Sequence, residues 1–182
     1  MTKVAKTEEK EITSSKKYTS YADQMLQKMI SKWTVSEAHV TYQPPKNNFK
    51  VTGSQTANTI FQQIWDPESM HIQEKIYALF LNRANEVLCW RLMGSGTSSK
   101  CLIDNKLLGT IVCKTMASSV IIAHNHPSGQ LKPSKGDRHM TWNTQKMLDL
   151  FDVELIDHLI ITANGYYSFA DNNLLSNSNH EF

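Results

Sequence analysis

The chain is predicted to fold as an α/β domain, and three observations carry that expectation. Residues 76–81, 120–123 and 154–161 are short apolar runs rich in Ile, Leu and Val, with the length of buried strands. The first run leads through a polar turn, residues 82–85, to a partner at 87–92, which reads as a hairpin. Between the other two lies a stretch of helical spacing from Ser134 to about Phe151, an alternation that belongs to α/β architecture.

Taken in order, residues 1–20 are polar, mixed in charge and without period, and are expected to be disordered. Ala22, Met25, Leu26, Met29 and Ile30 fall at helical spacing and predict a short helix. Residues 37–42 alternate as a strand does, and Pro44-Pro45 ends it. A second helix is expected over 56–65, with Ile60, Phe61 and Ile64 on one face. The hairpin follows, then a glycine-containing loop at 94–97, a helix over 105–118 and the β-branched strand 120–123. A loop over 125–133 carries Pro127, Gly129 and Pro133. The helix after it presents Met140, Thr144, Met147, Leu148 and Phe151 as its apolar face. A strand at 154–161 and a short one at 166–169 complete the domain, and the Asn- and Ser-rich tail beyond Asp171 is expected to fray. The organisation read from this is an arm at 1–34, a domain at 35–171 and a tail at 172–182.

Composition narrows the function classes. Of 182 residues, 40% are apolar, which supports a core without disulfides. The net charge of +2 is spread along the chain and gives no electrostatic footprint for nucleic acid. Cys89, Cys101 and Cys113 form no C-x-x-C pair, which excludes zinc ribbons and zinc-deaminase cores. They are read as reduced thiols filling the core as small hydrophobes. The longest apolar runs are too short to cross a bilayer and the N-terminal stretch has no signal-peptide core, so a soluble, cytoplasmic protein with no membrane partner is expected.

The chemistry is concentrated in Ala123-His124-Asn125-His126-Pro127-Ser128-Gly129 and in Ser134-Lys135-Gly136-Asp137. Two histidines two apart in extended backbone project to the same side, so a strand end can offer both imidazoles to one ion. Asp137, in the first turn of the next helix, leans back toward that end and can supply a third, oxygen ligand. Three protein ligands leave one tetrahedral position for solvent, the arrangement of a catalytic zinc. Ligand type alone also admits manganese or iron. Ser134-x-x-Asp137 reads equally as a helix-capping box, and the two uses are compatible. Asp157-His158, which interrupts an apolar strand, is read as a satisfied core pair in preference to a contact with the metal ligands.

The spacing H-x-H, seven residues, S, two residues, D matches without a gap the pattern of the JAB/MPN+ (JAMM) zinc metalloproteases. The fuller string HNHPSG…PS…D, with Asp157 to Ile161 and Tyr167-Ser168 downstream, resembles the RadC-like subgroup over residues 35–169. That resemblance implies a three-layer α/β/α fold with a central mixed sheet, similar to cytidine deaminases. It implies Zn2+ held by His124, His126 and Asp137, with Ser134 stabilising an oxyanion and Glu74 hydrogen-bonded to the metal's water. Glu86 competes with Glu74 for that proton-transfer role, and position before the strand favours Glu74. The first fifty residues do not match the helix-hairpin-helix region that many RadC-like proteins carry.

The expected activity is hydrolysis of an amide bond in a peptide or protein substrate. The alternative is a DNA-repair-associated accessory protein that keeps the metal for binding or structure, with Lys3, Lys6, Lys16 and Lys17 touching phosphates. A two-metal nuclease would need a second carboxylate cluster, and none is nominated.

Overall fold

The computed structural model describes residues 49–96 and 102–175, together with Tyr21, Gln24, Met25, Lys28 and Tyr42. The chain divides into two compact units, residues 1–39 and 40–182. In the first unit the four described residues are helical, within or beside the helix expected over 22–30. The rest of that helix, the arm at 1–20 and most of the strand expected at 37–42 lie outside the described residues, as does Cys101.

In the second unit the order is α1 (Ser54–Ile64), a 3-10 turn (Pro67–His71), β1 (Lys75–Leu81), β2 (Val87–Ser95), α2 (Asn105–Thr115), β3 (Ser119–Asn125), α3 (Lys135–Asp149), β4 (Glu154–Thr162) and β5 (Gly165–Ser168). The five strands form one mixed sheet in the order β2-β1-β3-β4-β5. β1 pairs antiparallel with both β2 and β3, β3 runs parallel to β4, and β5 returns antiparallel to β4.

Each face of the sheet carries its own core. Ile76, Ala78, Phe80, Val120, Ile122 and Leu155 pack under Leu108 and Val112 of α2 and Leu148 of α3. The alternate residues Tyr77, Leu79, Leu81, Ile121, Ala123, Leu159 and Ile161 pack with Ala57 and Phe61 of α1. The result is the expected three-layer α/β/α arrangement, and it explains why β3 reads as a continuous apolar run: all seven of its residues are buried.

Helix ends follow local chemistry. The Asp104 carboxylate accepts the backbone N–H of Lys106 and of Leu107 and starts α2. Met116 stops that helix in the left-handed region, φ 53°, three residues before the expected end. Four expectations need correction. Asn125 ends β3 instead of opening the loop. Phe151 lies beyond α3, which ends at Asp149, and is 41% exposed. Cys113 is exposed and fills no core, whereas the half-buried Cys89 packs against the core as expected. The first residues of the expected tail, 172–175, stay on the domain, where Leu174 N–H donates to Phe169 O at 2.8 Å and Leu175 packs on the core, while 176–182 lie outside the described residues.

Among the described residues, no helix is long and apolar enough to cross a membrane.

Candidate metal centre

The site forms where β3 delivers its C-terminal end beneath the start of α3. Strand alternation puts Val120, Ile122 and therefore His124 on the α2/α3 face, and Asn125 on the α1 face. His126 follows the strand, held by its N–H to Ile161 O at 3.3 Å and by the turn in which Gly129 N–H donates to His126 O at 2.9 Å. Gly129 sits at φ 76°, a conformation that favours glycine. Across the gap, Ser134 caps α3. Its Oγ accepts the Asp137 N–H at 3.1 Å, and the Asp137 Oδ2 accepts the Ser134 N–H at 2.6 Å. This capping box fixes the Asp137 carboxylate at the helix entrance.

Four donor groups converge there: Glu74, His124, His126 and Asp137 place one ligand atom each within 4.8 Å of all the others. The two Nε2 atoms are 2.9 Å apart, His124 Nε2 is 3.3 Å from Asp137 Oδ1, and His126 Nε2 is 3.5 Å from Asp137 Oδ2. Glu86, the competing carboxylate, accepts from Asn82 Nδ2 in the turn after β1. It stands at the opposite end of a seven-residue strand, about 20 Å from Glu74.

Glu74 lies just before β1, and Asn125 fixes the segment that carries it. The Asn125 amide donates to Met70 O at 2.7 Å and Gln73 O at 2.9 Å, and its Oδ1 accepts Lys75 N–H at 2.7 Å. Sequence reasoning gave Asn125 no role. With the loop expected to open at Asn125, its burial at the end of β3 is evident only in the structure.

The protons around the imidazoles can be placed. His126 Nδ1 is 2.5 Å from Gln130 O, and a carbonyl only accepts, so Nδ1 carries a proton and Nε2 is the nitrogen left to face the cluster. His124 Nδ1 is 2.7 Å from His158 Nε2, and His158 Nδ1 is 2.7 Å from Thr141 Oγ1. His158 therefore touches a proposed ligand, which corrects the reading of Asp157-His158 as a self-contained pair. Asp157 turns elsewhere, accepting from Ser168 Oγ at 2.7 Å and from the N–H groups of His158 and Ala170. Burial pushes its carboxyl above the usual range, partly offset by these donors.

Electrostatics follow from the crowding. Burial is the largest influence on Glu74 and raises its pKa, with His124 and His126 pulling it partly back. Burial also opposes ionisation of Asp137, but hydrogen bonds with His124 and His126 outweigh it and hold that carboxyl far below the usual range. The hydrogen bond to Asp137 raises His126, against the opposing effect of burial. Complete burial drives His158 down, so it stays neutral.

A positive charge is what this cluster lacks. Two inward imidazole lone pairs beside two carboxylates repel one another unless a proton or a metal cation lies between them, so the donor set fits a divalent ion. A pH prediction separates the two occupants. In metal-free protein the raised His126 contributes stability that is complete below its ordinary value of 6.5 and disappears as pH rises through the shifted value. The depressed Asp137 contributes above 3.8 and is lost toward acid. Thermal unfolding is therefore expected to show metal-free protein weakening from neutral to alkaline pH. Added zinc should abolish that decline, and a metal-insensitive profile would contradict the site.

The mixed sheet between helical layers and its His-His-Asp-Glu cluster define a protein of the metal-dependent, hydrolase-like class. The sequence pattern of the RadC-like JAB domain matches residues 51–174 of the 182, and the chain belongs to that family. It is 38% identical over 122 residues to a UPF0758 protein of Flavobacterium johnsoniae, covering 67% of this chain and 52% of that one. A UPF0758 protein of Chlorobaculum tepidum is 34% identical over 128 residues, covering 70% and 56%. One from Porphyromonas gingivalis is 38% identical over 104 residues, covering 57% and 46%. The chain thus spans about half the length of the curated relatives it matches.

Proposed function

We propose that the chain is a zinc-dependent amide hydrolase, of metallopeptidase or isopeptidase type, acting on a peptide or protein substrate. The observation that carries this reading is the convergence of two imidazole Nε2 atoms and the Asp137 carboxylate on one point, with Glu74 beside them. His124, His126 and Asp137 would hold the metal. A bound zinc supplies Lewis acidity and makes hydroxide accessible from water near neutral pH.

The chain's own groups do the rest. Glu74 accepts the proton of the attacking water and returns it to the leaving amine, a task suited to a carboxyl whose pKa burial raises. Ser134 Oγ already accepts the Asp137 N–H, which leaves its hydroxyl proton to donate to the oxyanion that develops on the substrate carbonyl. The helix start at Ser134 adds the positive end of the α3 dipole on the same side.

The test is metal analysis of purified protein beside His126→Ala. About one zinc per chain is expected for the unaltered protein and essentially none for the variant, since one of three ligands is gone. Equal metal content in both would overturn the assignment.

A further inference from the structure

We propose that His158 and Thr141 are positioning residues that fix the ring tautomer of His124, so that its Nε2 reaches the metal centre without a proton; this rests on the metal-centre reading above. The protons can be counted along a buried chain of contacts. Thr141 Oγ1 lies 2.7 Å from Asp137 O, a carbonyl that can only accept, so the single hydroxyl proton is used there. Thr141 Oγ1 must then accept across its 2.7 Å contact with His158 Nδ1, which makes Nδ1 the protonated nitrogen of that neutral ring. His158 Nε2 is left as an acceptor, and the 2.7 Å contact with His124 Nδ1 is closed by the His124 proton. The remaining nitrogen of His124 is the one that faces His126 and Asp137. With His158 neutral, each contact from Asp137 O through Thr141 and His158 to His124 Nδ1 holds one hydrogen in this arrangement.

The setting favours a fixed relay over a fluctuating one. His124 and His158 are completely buried and Thr141 is 2% exposed, so water does not replace a broken link. Phe169 stacks on the His158 ring at 4.5 Å and restricts its rotation. The relay spans β3, α3 and β4, and it ties the side chain of one proposed ligand to the backbone of another, Asp137.

Thr141→Val removes the hydroxyl while keeping the shape, so it isolates the relay from the fold. Without an acceptor for Nδ1–H, His158 gains by moving its proton to Nε2. It then donates to His124 Nδ1, and the His124 proton must sit on Nε2, the atom aimed at the metal.

The experiment uses the full chain with 15N-labelled histidine. Long-range proton–nitrogen correlation reads the His124 tautomer in metal-free protein, and competition with a chromophoric chelator reads zinc affinity. The expected result is an Nδ1–H tautomer for His124 in the unaltered protein and an Nε2–H population in Thr141→Val. Zinc affinity should fall about 10–100-fold in that variant, the usual effect of losing an outer hydrogen bond to a ligand. Thr141→Ser should restore both readings. His158→Gln, whose amide oxygen can accept near the Nε2 position, should bind zinc more tightly than His158→Leu. An unchanged tautomer and affinity in Thr141→Val, or a loss that Thr141→Ser does not restore, overturns the relay. If the unaltered protein takes up no zinc, the metal-centre reading fails, and the tautomer measurement still decides the relay.

Discussion

Glu74→Gln is expected to retain zinc and lose turnover by about a hundred- to ten-thousand-fold, the range for removing a general acid–base group. The amide matches the carboxyl in size but can neither take a proton from water nor deliver one to an amine. Metal retention follows because His124, His126 and Asp137 are untouched, and the Asn125 contacts to this segment are to backbone. The same carboxyl sets the acid limb of the rate profile. Glu74 must be ionised to accept a proton, so activity should fall as pH drops through its titration, a point that burial raises and a bound cation lowers. Cleavage of a mixed peptide library, read by mass spectrometry across pH, provides the measurement. An active Glu74→Gln with an unmoved acid limb would remove Glu74 from the chemistry.

Asn125→Ala is expected to destabilise the protein by about 3 kcal/mol, since it strands two carbonyls and one N–H in the interior. For a domain of this size that corresponds to a melting temperature lower by roughly 10 °C. Asn125 is wholly buried and spends both amide donors and its carbonyl on the backbone flanking Glu74. Leucine should be no better, because filling the volume does not restore the partners. Thermal melts of both variants test this, and a loss below about 1 kcal/mol would show that the segment finds other donors.

The convergence of His124, His126 and Asp137 is legible in the sequence because these residues are local. His124 and His126 share one strand end, and Ser134 and Asp137 share one helix start, so periodicity and capping rules place them without tertiary knowledge. The three-layer fold was legible for a similar reason: apolar runs too short for buried helices alternated with a long helical stretch. His158 and Thr141 were not legible. Their meeting depends on the parallel register that sets Ile122 against His158, and that register shifts between Val120 and Ile121. Nothing in the text of β4 announces such a slip, so the side to which His158 points could not be read. The burial of α3 was misjudged on related grounds. Its inward stripe includes Thr141 beside the expected Thr144 and Leu148, a polar residue that an apolar-face rule assigns to solvent. Cys113 and Phe151 erred the opposite way, being apolar by type and exposed by position.

The shared carboxylate at the start of α3 has a practical consequence for anyone wanting a metal-dead control. Asp137 both faces the imidazoles and closes the cap on Ser134 N–H, so deleting it also frays the first helical turn. A null phenotype from that change would mix lost chemistry with lost architecture. His126 makes no such double commitment: beyond the cluster its ring bonds only the Gln130 carbonyl in a surface turn, which makes it the cleaner position to silence.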